Sequence, residues 1–407
     1  MRVLLSTYGS RGDVEPMTGL AVQLRALGGD VRMCAPPDFA ELLDGIDVPH
    51  TPLGRPIRAL AKGAGQGKAR LTLPDIAADL TAAAYEAVVT AGEDCAVVVA
   101  TGSLPAVSGA RAAAEQLGVP FVFATFSPCY LPSAQHRPGV WPGQTVPEDV
   151  TDNRVLWDLH ARHLHGLFGE TINAHRASVG LPPVADVRAH GFTGRPLLAA
   201  DPVLGPWEKT PDLDVTQTGA WIRPDTRPLP AELEAFLAAG EEPVYVGFGS
   251  MPMRGASPED VSRAVVEAVR AQGRRVLLGS GWAELALIDD LDDCFVVGEV
   301  NQQALFHRVA AVVHHGGAGT TTTAARAGAP QVLVPQVADQ PYWAGRAAEL
   351  GIGAAHDGPV PTAESLSASL RTALAAGTRD RAAAVAGEVR ADGAATAAKL
   401  LLDTAAR

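Results

Sequence analysis

The chain has 407 residues, of which 47% are hydrophobic and 19% charged, and its formal net charge is −12. That balance excludes a disordered chain, leaves room for two domains of about 100–200 residues each, and argues against broad nucleic-acid binding, which needs a basic face. Four scattered cysteines (Cys34, Cys95, Cys129, Cys294) without C-x-x-C spacing suit reduced thiols rather than a disulfide framework or a zinc site. No uncharged apolar run reaches the ~20 residues of a membrane span, and the N-terminus enters a strand directly, so a cytoplasmic protein with no stable membrane insertion is expected.

In chain order, apolar runs at 2–6, 30–34, 96–100 and 120–125 read as strands. They alternate with helical patterns at 14–27, 74–92 and 104–117. Such alternation makes βαβ units and a mostly parallel sheet. Residues 61–71 (AKGAGQGKARL) and the proline-rich 127–152 read as long irregular loops, the first of them mobile. The proline-rich stretch 202–230 reads as a linker. The rhythm then restarts with PVYVGFGSMP at 243–252, strands at 274–278, 294–297, 311–315 and 330–334, and helices at 258–272, 319–327 and 341–350. An Ala-rich helical tail covers about 379–405. The fold class expected is α/β, with two Rossmann-like doubly wound domains. Domain limits of 1–205, a linker 206–230, a second domain 231–378 and a tail 379–407 follow.

Ligands in open parallel sheets bind at the carboxyl ends of strands, so the loops after strands carry the chemistry. In AAVVHHGGAGTTTTAARAGAP, 310–330, an apolar strand ends at His314–His315, and glycines lead into Thr320 and a helix. Glycines admit a ligand close to the backbone, and a helix start offers free N–H groups and partial positive charge. This is an anion site without a P-loop lysine. The alternative is a tight turn with Thr320 as helix cap. In ADQPYWAGR, 338–346, Asp339 and Gln340 suit sugar-hydroxyl recognition, with a helix-capping Asp339 as the rival. Ser250, in GFGSM, could touch a phosphate or merely close a turn. In GSRGDVEP, 9–16, Asp13 reads either as a helix-start acid or as a general base. DDLDD at 289–293 reads as a solvated turn, and His160, His163 and His165 as surface or acceptor-side residues; no metal site is expected.

Together MRVLLSTYGSRGDVEP, QTGAWIRPDTRPL, PVYVGFGS, CFVVGEVNQQALF and HHGGAGTTTTAARAGAPQVLVPQVADQPYWAGR resemble the nucleotide-sugar-dependent glycosyltransferases of GT-B fold. The branch they are most similar to decorates glycopeptide antibiotics of the vancomycin and teicoplanin type. The resemblance covers essentially the whole chain. It implies two domains facing across a deep cleft, with the tail helix crossing back to the N-terminal, acceptor-binding domain. It implies Asp13 as the general base and Ser10 directed at the donor phosphates. Ser250, His315, Gly317, Ala318, Gly319 and Thr320 would hold the diphosphate. Val300, through its backbone, and Gln302 would meet the base, and Asp339 and Gln340 the sugar hydroxyls. Plant relatives stack uracil on a tryptophan where this chain has Glu299; Trp282 is the alternative candidate here.

The reaction implied is inverting, metal-independent transfer of glucose or N-acetylglucosamine from a UDP-sugar to a phenolic or β-hydroxyl of a glycopeptide aglycone. The donor is a co-substrate, no resident cofactor is implied, and the enzyme is expected to be a monomer. A TDP-deoxyaminosugar donor or another natural-product or lipid acceptor is the alternative. A nicotinamide oxidoreductase would need a GxGxxG after a first strand, which is missing, and a non-catalytic partner protein would not need Asp13.

Overall fold

The computed structural model describes residues 1–58, 72–139, 144, 147, 149–192, 194–251, 253, 255–289 and 291–405. The 61–71 loop therefore lies outside the described residues, as does part of 127–152. The chain forms two compact units. The first comprises Met1–Ala200, Trp207–Arg223 and Ala391–Arg407, the second Asp201–Pro206 and Pro224–Arg390.

In the first unit the elements are β1 (Arg2–Tyr8), α1 (Arg11–Ala26), β2 (Asp30–Ala35), α2 (Ala40–Asp44), β3 (His50–Pro52), α3 (Leu73–Ala91), β4 (Cys95–Gly102), α4 (Leu104–Leu117), β5 (Phe121–Thr125), α5 (Asn153–Ser178), α6 (Val187–Phe192), β6 (Leu197–Leu198) and β7 (Thr216–Gln217). The strands pair in parallel in the order β3-β2-β1-β4-β5-β6-β7. Both faces are covered, so the centre of β1, Val3–Leu5, is apolar on both sides. Val3 and Leu5 pack with Val14, Met17, Leu20 and Leu24 of α1, while Leu4 packs on the other face with residues of α3 and α4. The order reverses between β1 and β4, which opens a crevice at their carboxyl ends. Asp13 belongs to the segment leaving β1 there. The helix begins at Arg11, three residues earlier than its apolar period suggests, so Asp13 sits in the first turn.

The second unit contains α7 (Ala231–Ala238), β8 (Val244–Gly247), α8 (Pro258–Arg270), β9 (Val276–Gly279), β10 (Cys294–Val297), α9 (Gln302–Leu305), β11 (Ala311–His314), α10 (Ala318–Arg326), β12 (Gln331–Leu333), α11 (Gln340–Glu349), β13 (Gly353–Ala355), α12 (Ala363–Ala373) and α13 (Ala376–Ala386). Its sheet runs β10-β9-β8-β11-β12-β13, again parallel, and the switch point falls between β8 and β11. The GFGS and HHGG loops are the two that leave those strands. Among the described residues, no helix is long and apolar enough to cross a membrane.

Three sequence expectations change. The stretch 206–230 is not a bare linker. It contains β7, and residues 207–223 pack with the first unit: the Trp221 indole donates to Thr218 Oγ1 (2.9 Å), and Gly19 of α1 leaves room for the Trp221–Arg223 backbone. Next, the tail is two helices. α13 stays with the second unit, whereas α14 (Gly393–Ala405) packs Ala394, Ala397, Ala398 and Leu401 into the α1 face of the first. DDLDD is also no free solvated turn, since Asp289 and Asp293 both clamp Arg270 at 2.6 Å.

The start of α14 is pressed against Gly219, whose φ of +95° only glycine adopts easily: a Cβ on Gly393 would lie 2.3 Å from the Gly219 carbonyl carbon. Glycine-to-alanine inside a helix ordinarily stabilises by up to about 1 kcal/mol. Here the overlap should reverse the sign. Gly393→Ala is expected to cost about 1–3 kcal/mol and lower the Tm by roughly 5 °C, read by thermal unfolding; an unchanged or higher Tm would contradict the packing.

Candidate active site

In the first unit the site begins with Gly9 and Ser10. Ser10 occupies the cap position of α1 with an extended backbone, but its hydroxyl makes no capping bond. That leaves a hydroxyl beside the N–H groups that open the helix. The Asp13 carboxylate folds back over Gly9: a Cβ there would lie 1.9 Å from Asp13 Oδ2. Gly9 is thus the space that the carboxylate occupies. The neighbouring acid has a different task. Glu15 pairs with Arg11 (2.6 Å) and Arg223 (3.4 Å), tying α1 to the 221–223 segment. Asp13 and Glu15, two residues apart, therefore divide into a candidate base and a structural anchor.

In the second unit the candidate anion cradle is built from its buried end upward. His314, the last residue of β11, is fully buried. Its Nδ1 accepts from the Gly316 N–H (3.1 Å), so its proton is on Nε2, which donates to Gln331 Oε1 (2.9 Å). Gln331 Nε2 then donates to the Thr321 carbonyl of α10 (3.3 Å). One chain of side chains thus fixes strand end, glycine turn and helix. Gly316 turns at φ +90°, and Gly317 takes the cap position of α10. A glycine cap has no side chain to satisfy the opening N–H groups, so those of Ala318, Gly319 and Thr320 stay available. Thr321, Thr322 and Thr323 turn their hydroxyls back onto carbonyls four residues earlier, and Thr320 makes no such bond. The alternative in which Thr320 is a helix cap is thereby set aside, because Thr320 is the third residue of the helix.

His315 stands over this turn. Gly317 leaves room for its ring, since a Cβ would lie 2.5 Å from Nε2, and Gly249 of the GFGS loop lies against Cε1. Its Nδ1 is buried without a partner among the described residues, and burial pushes its pKa down to about 4. Ser250 follows Gly249 and makes no protein hydrogen bond among the described residues. On the other side of Gly249, the Trp282 N–H donates to the Gly249 carbonyl (2.8 Å). Trp282, Gly249, Ser250 and His315 therefore form one contiguous group.

The remaining expected residues divide. Asp339 stands at the cap position of α11, yet its side chain does not cap the helix. Oδ2 accepts from the Trp343 indole (2.7 Å), and burial raises its pKa against that hydrogen bond. The helix-capping alternative fails for this reason. Gln340 was expected to offer both an acceptor and a donor, but its Oε1 is taken by the N–H groups of Gln336 and Val337. Gln302 reaches inward to the Tyr245 hydroxyl (3.5 Å). Val300 is buried, with its backbone between β10 and α9. Glu299 is half-exposed and pairs with Arg227 (3.3 Å), so it offers no stacking face. Sequence reasoning passed over Asn301. Its Nδ2 donates to the Asp225 and Arg227 carbonyls while its Oδ1 caps α9. His160, expected on the surface or acceptor side, is buried on α5 between Trp157 and Leu164.

Comparisons with known proteins give the family and the fold. Residues 3–135 match the glycosyltransferase family 28 N-terminal domain, and 284–399 the erythromycin biosynthesis protein CIII-like C-terminal domain. The solved glycotransferase of kitacinnamycin superposes with a TM-score of 0.71 at 21% identity, covering 98% of this chain and 97% of that one. The fold is that of the GT-B glycosyltransferases. Three relatives from Amycolatopsis orientalis are similar over nearly their whole length. Glycosyltransferase GtfE is 55% identical over 98% of this chain and 97% of its own. A vancomycin aglycone glucosyltransferase is 53% identical over 100% and 98%, and a dTDP-epi-vancosaminyltransferase 49% over 95% and 93%. The chain belongs to the glycosyltransferases of vancomycin-type glycopeptide antibiotic biosynthesis.

His314 makes stability pH-dependent. Burial holds its pKa near 3 in the folded protein, against about 6.5 unfolded. Below pH 6.5 the unfolded chain binds a proton that the folded one refuses. The contribution is complete above that pH and is lost on acidification towards pH 3, by about 1.4 kcal/mol per unit. His314→Asn should be less stable at pH 7.5 but lose less Tm than the wild type between pH 7.5 and 5. Equal losses would show that this imidazole is not the buried neutral group.

Proposed function

We propose that the chain transfers a hexose, glucose or N-acetylglucosamine, from a UDP-sugar to a phenolic or β-hydroxyl of a glycopeptide aglycone, with inversion at the anomeric carbon. The observation that carries the donor half is the glycine-capped start of α10. Three uncapped N–H groups beside His315, Ser250 and Thr320 suit the two phosphates of a nucleoside diphosphate, whose negative charge grows as the glycosidic C–O bond breaks. We take the charge of the leaving group to be met by these donors, without a metal ion.

Asp13 is the proposed base. The acceptor oxygen forms its bond to the anomeric carbon, the UDP oxygen leaves from the opposite face, and the acceptor proton passes to the Asp13 carboxylate. A phenol has a pKa near 10, so a carboxylate is a weak base for it at rest and an effective one as the proton becomes acidic in the transition state. Trp282 is the proposed face for the uracil, because Glu299 is committed to Arg227.

One observation favours a second donor class. The 49% identical dTDP-epi-vancosaminyltransferase is hardly more distant than the 53% identical glucosyltransferase. Asp339 supports the hexose. One of its carboxylate oxygens is held by the Trp343 indole, and a deoxysugar that lacks a hydroxyl there would leave the other without a partner, at a cost of about 1–3 kcal/mol.

Incubating the enzyme with UDP- and TDP-sugars and glycopeptide aglycones, followed by mass spectrometry, should show the mass of one hexose added from the UDP donor. Transfer from TDP-aminosugars alone would reverse the donor assignment. Asp13→Asn should lower kcat by about 10²–10⁴-fold while donor binding, measured calorimetrically, persists. Full turnover in that variant would remove Asp13 from the mechanism.

A further inference from the structure

Trp157, buried in the second turn of α5, is the centre of a polar aromatic cluster in the first unit. Its indole N–H donates to the His136 carbonyl (3.0 Å), and its ring meets those of His136 and His160 edge-on, at centroid distances of 6.0 and 5.3 Å. The Trp207 ring meets His136 at 6.0 Å as well. The Arg188 guanidinium stands over the Trp157 ring, 5.8 Å from its centroid. Four stretches of chain thus come together: the loop after β5, α5, α6 and the segment after residue 206.

The cluster holds polar nitrogens with nothing to bond to. Arg188 Nε, Trp207 Nε1 and His160 Nδ1 are enclosed without a hydrogen-bond partner among the described residues. Burial keeps His160 neutral, with a pKa of about 4, and pulls Arg188 below its usual range. Asp158 and Asp186 favour the Arg188 charge from nearby, but neither bonds to it; Asp158 is exposed, and Asp186 Oδ1 accepts from the Ala189 N–H (2.9 Å). A guanidinium drawn out of water without a partner is costly. It offers a flat fork of N–H donors, which a carboxylate with two oxygens satisfies best.

The cluster lies towards the carboxyl edge of the sheet, where the segment with Asp13 leaves β1. His136 belongs to the loop after β5. Val187, next to Arg188, packs with Leu104, which opens α4 just after β4, the neighbour of β1.

We propose that Arg188, backed by Trp157, binds the carboxylate of the acceptor, with the Trp207 indole N–H as a further donor to it. This rests on the reading that the first unit takes a glycopeptide aglycone, a peptide and hence a chain with a carboxyl end. A protein of net charge −12 repels an anionic acceptor at long range. A single cation held in the site therefore decides which end of the peptide settles there, and orients the hydroxyl that is to be glycosylated.

The test pairs an aglycone bearing a free C-terminal carboxylate with its methylamide, against the wild type, Arg188→Gln and Arg188→Lys. Acceptor KM and donor KM are read by mass spectrometry of product, and acceptor binding by calorimetry. In the wild type the methylamide should have an acceptor KM about tenfold or more above that of the acid, the loss of a charge-assisted bond. In Arg188→Gln the two acceptors should come within about twofold of each other, through a rise in the KM of the acid, while donor KM stays put. Arg188→Lys, which keeps the charge and loses the fork, should fall between, and it decides the residue if Arg188→Gln does not fold. No preference for the acid in the wild type overturns the proposal and leaves the transferase reading intact. An equal rise in KM for both acceptors in Arg188→Gln overturns it too, since the arginine then only packs. If the wild type transfers no sugar but calorimetry shows an Arg188-dependent preference for the acid, the transferase reading fails and the proposal stands. If neither acceptor binds, both fall.

Discussion

The arrangement of the second unit depends on one hydrogen bond, from the Gly316 N–H to a buried neutral imidazole. Because His314 accepts there, the chain turns sharply at the end of β11, and α10 starts from a glycine with its first N–H groups uncapped. A serine or threonine at that cap would stabilise the helix by about 1 kcal/mol and occupy the same groups. The cradle therefore gives up helix stability for availability. Three other helix starts in the unit are capped by side chains: Ser257 on α8, Asn301 on α9 and Thr362 on α12.

Glycines act here as moulds for particular neighbours. Gly9 is shaped to the Asp13 carboxylate, Gly317 to the His315 ring, Gly316 to Gln340, and Gly281 to the Gly249 carbonyl. Each contact brings a side chain or loop over a strand end at a switch point of its sheet. Both units place their glycine loops after the first strand, and the second unit adds another after its fourth. The repeated topology thus places Asp13 on a turn in one unit and the glycine-capped start of α10 on a turn in the other.

Much of this was legible in the sequence. The inner strands are buried on both faces and read as unbroken apolar runs; the run at 294–297 matches the edge strand β10 residue for residue. The two-residue strands β6 and β7 carry no period and are defined by their partners. α5 hid for a different reason. Its buried series runs Leu156, Trp157, His160, Leu164, Phe168, Ile172, and the histidine interrupts an otherwise plain apolar stripe. The clamp on Arg270 was invisible because its two aspartates lie 19 and 23 residues away. Asp339 and Gln340 could be named from the sequence, but not which end of the amide would be used, since that is set by backbone N–H groups in a loop.

The first unit is discontinuous in the chain, and this bears on the order in which the protein is made. Leu20 and Leu24 of α1 are packed in part by Ala394, Ala397, Ala398 and Leu401 of α14. On the ribosome these residues arrive only after the stretch from 224 to 390, which takes on the order of 10–30 s to synthesise. During that interval the apolar face of α1 lacks its cover, whereas residues 224–390 need only the short 201–206 segment, already made, to complete their own unit. The nascent chain thus exposes a binding surface for a chaperone near its beginning, and loses it when its last helix docks.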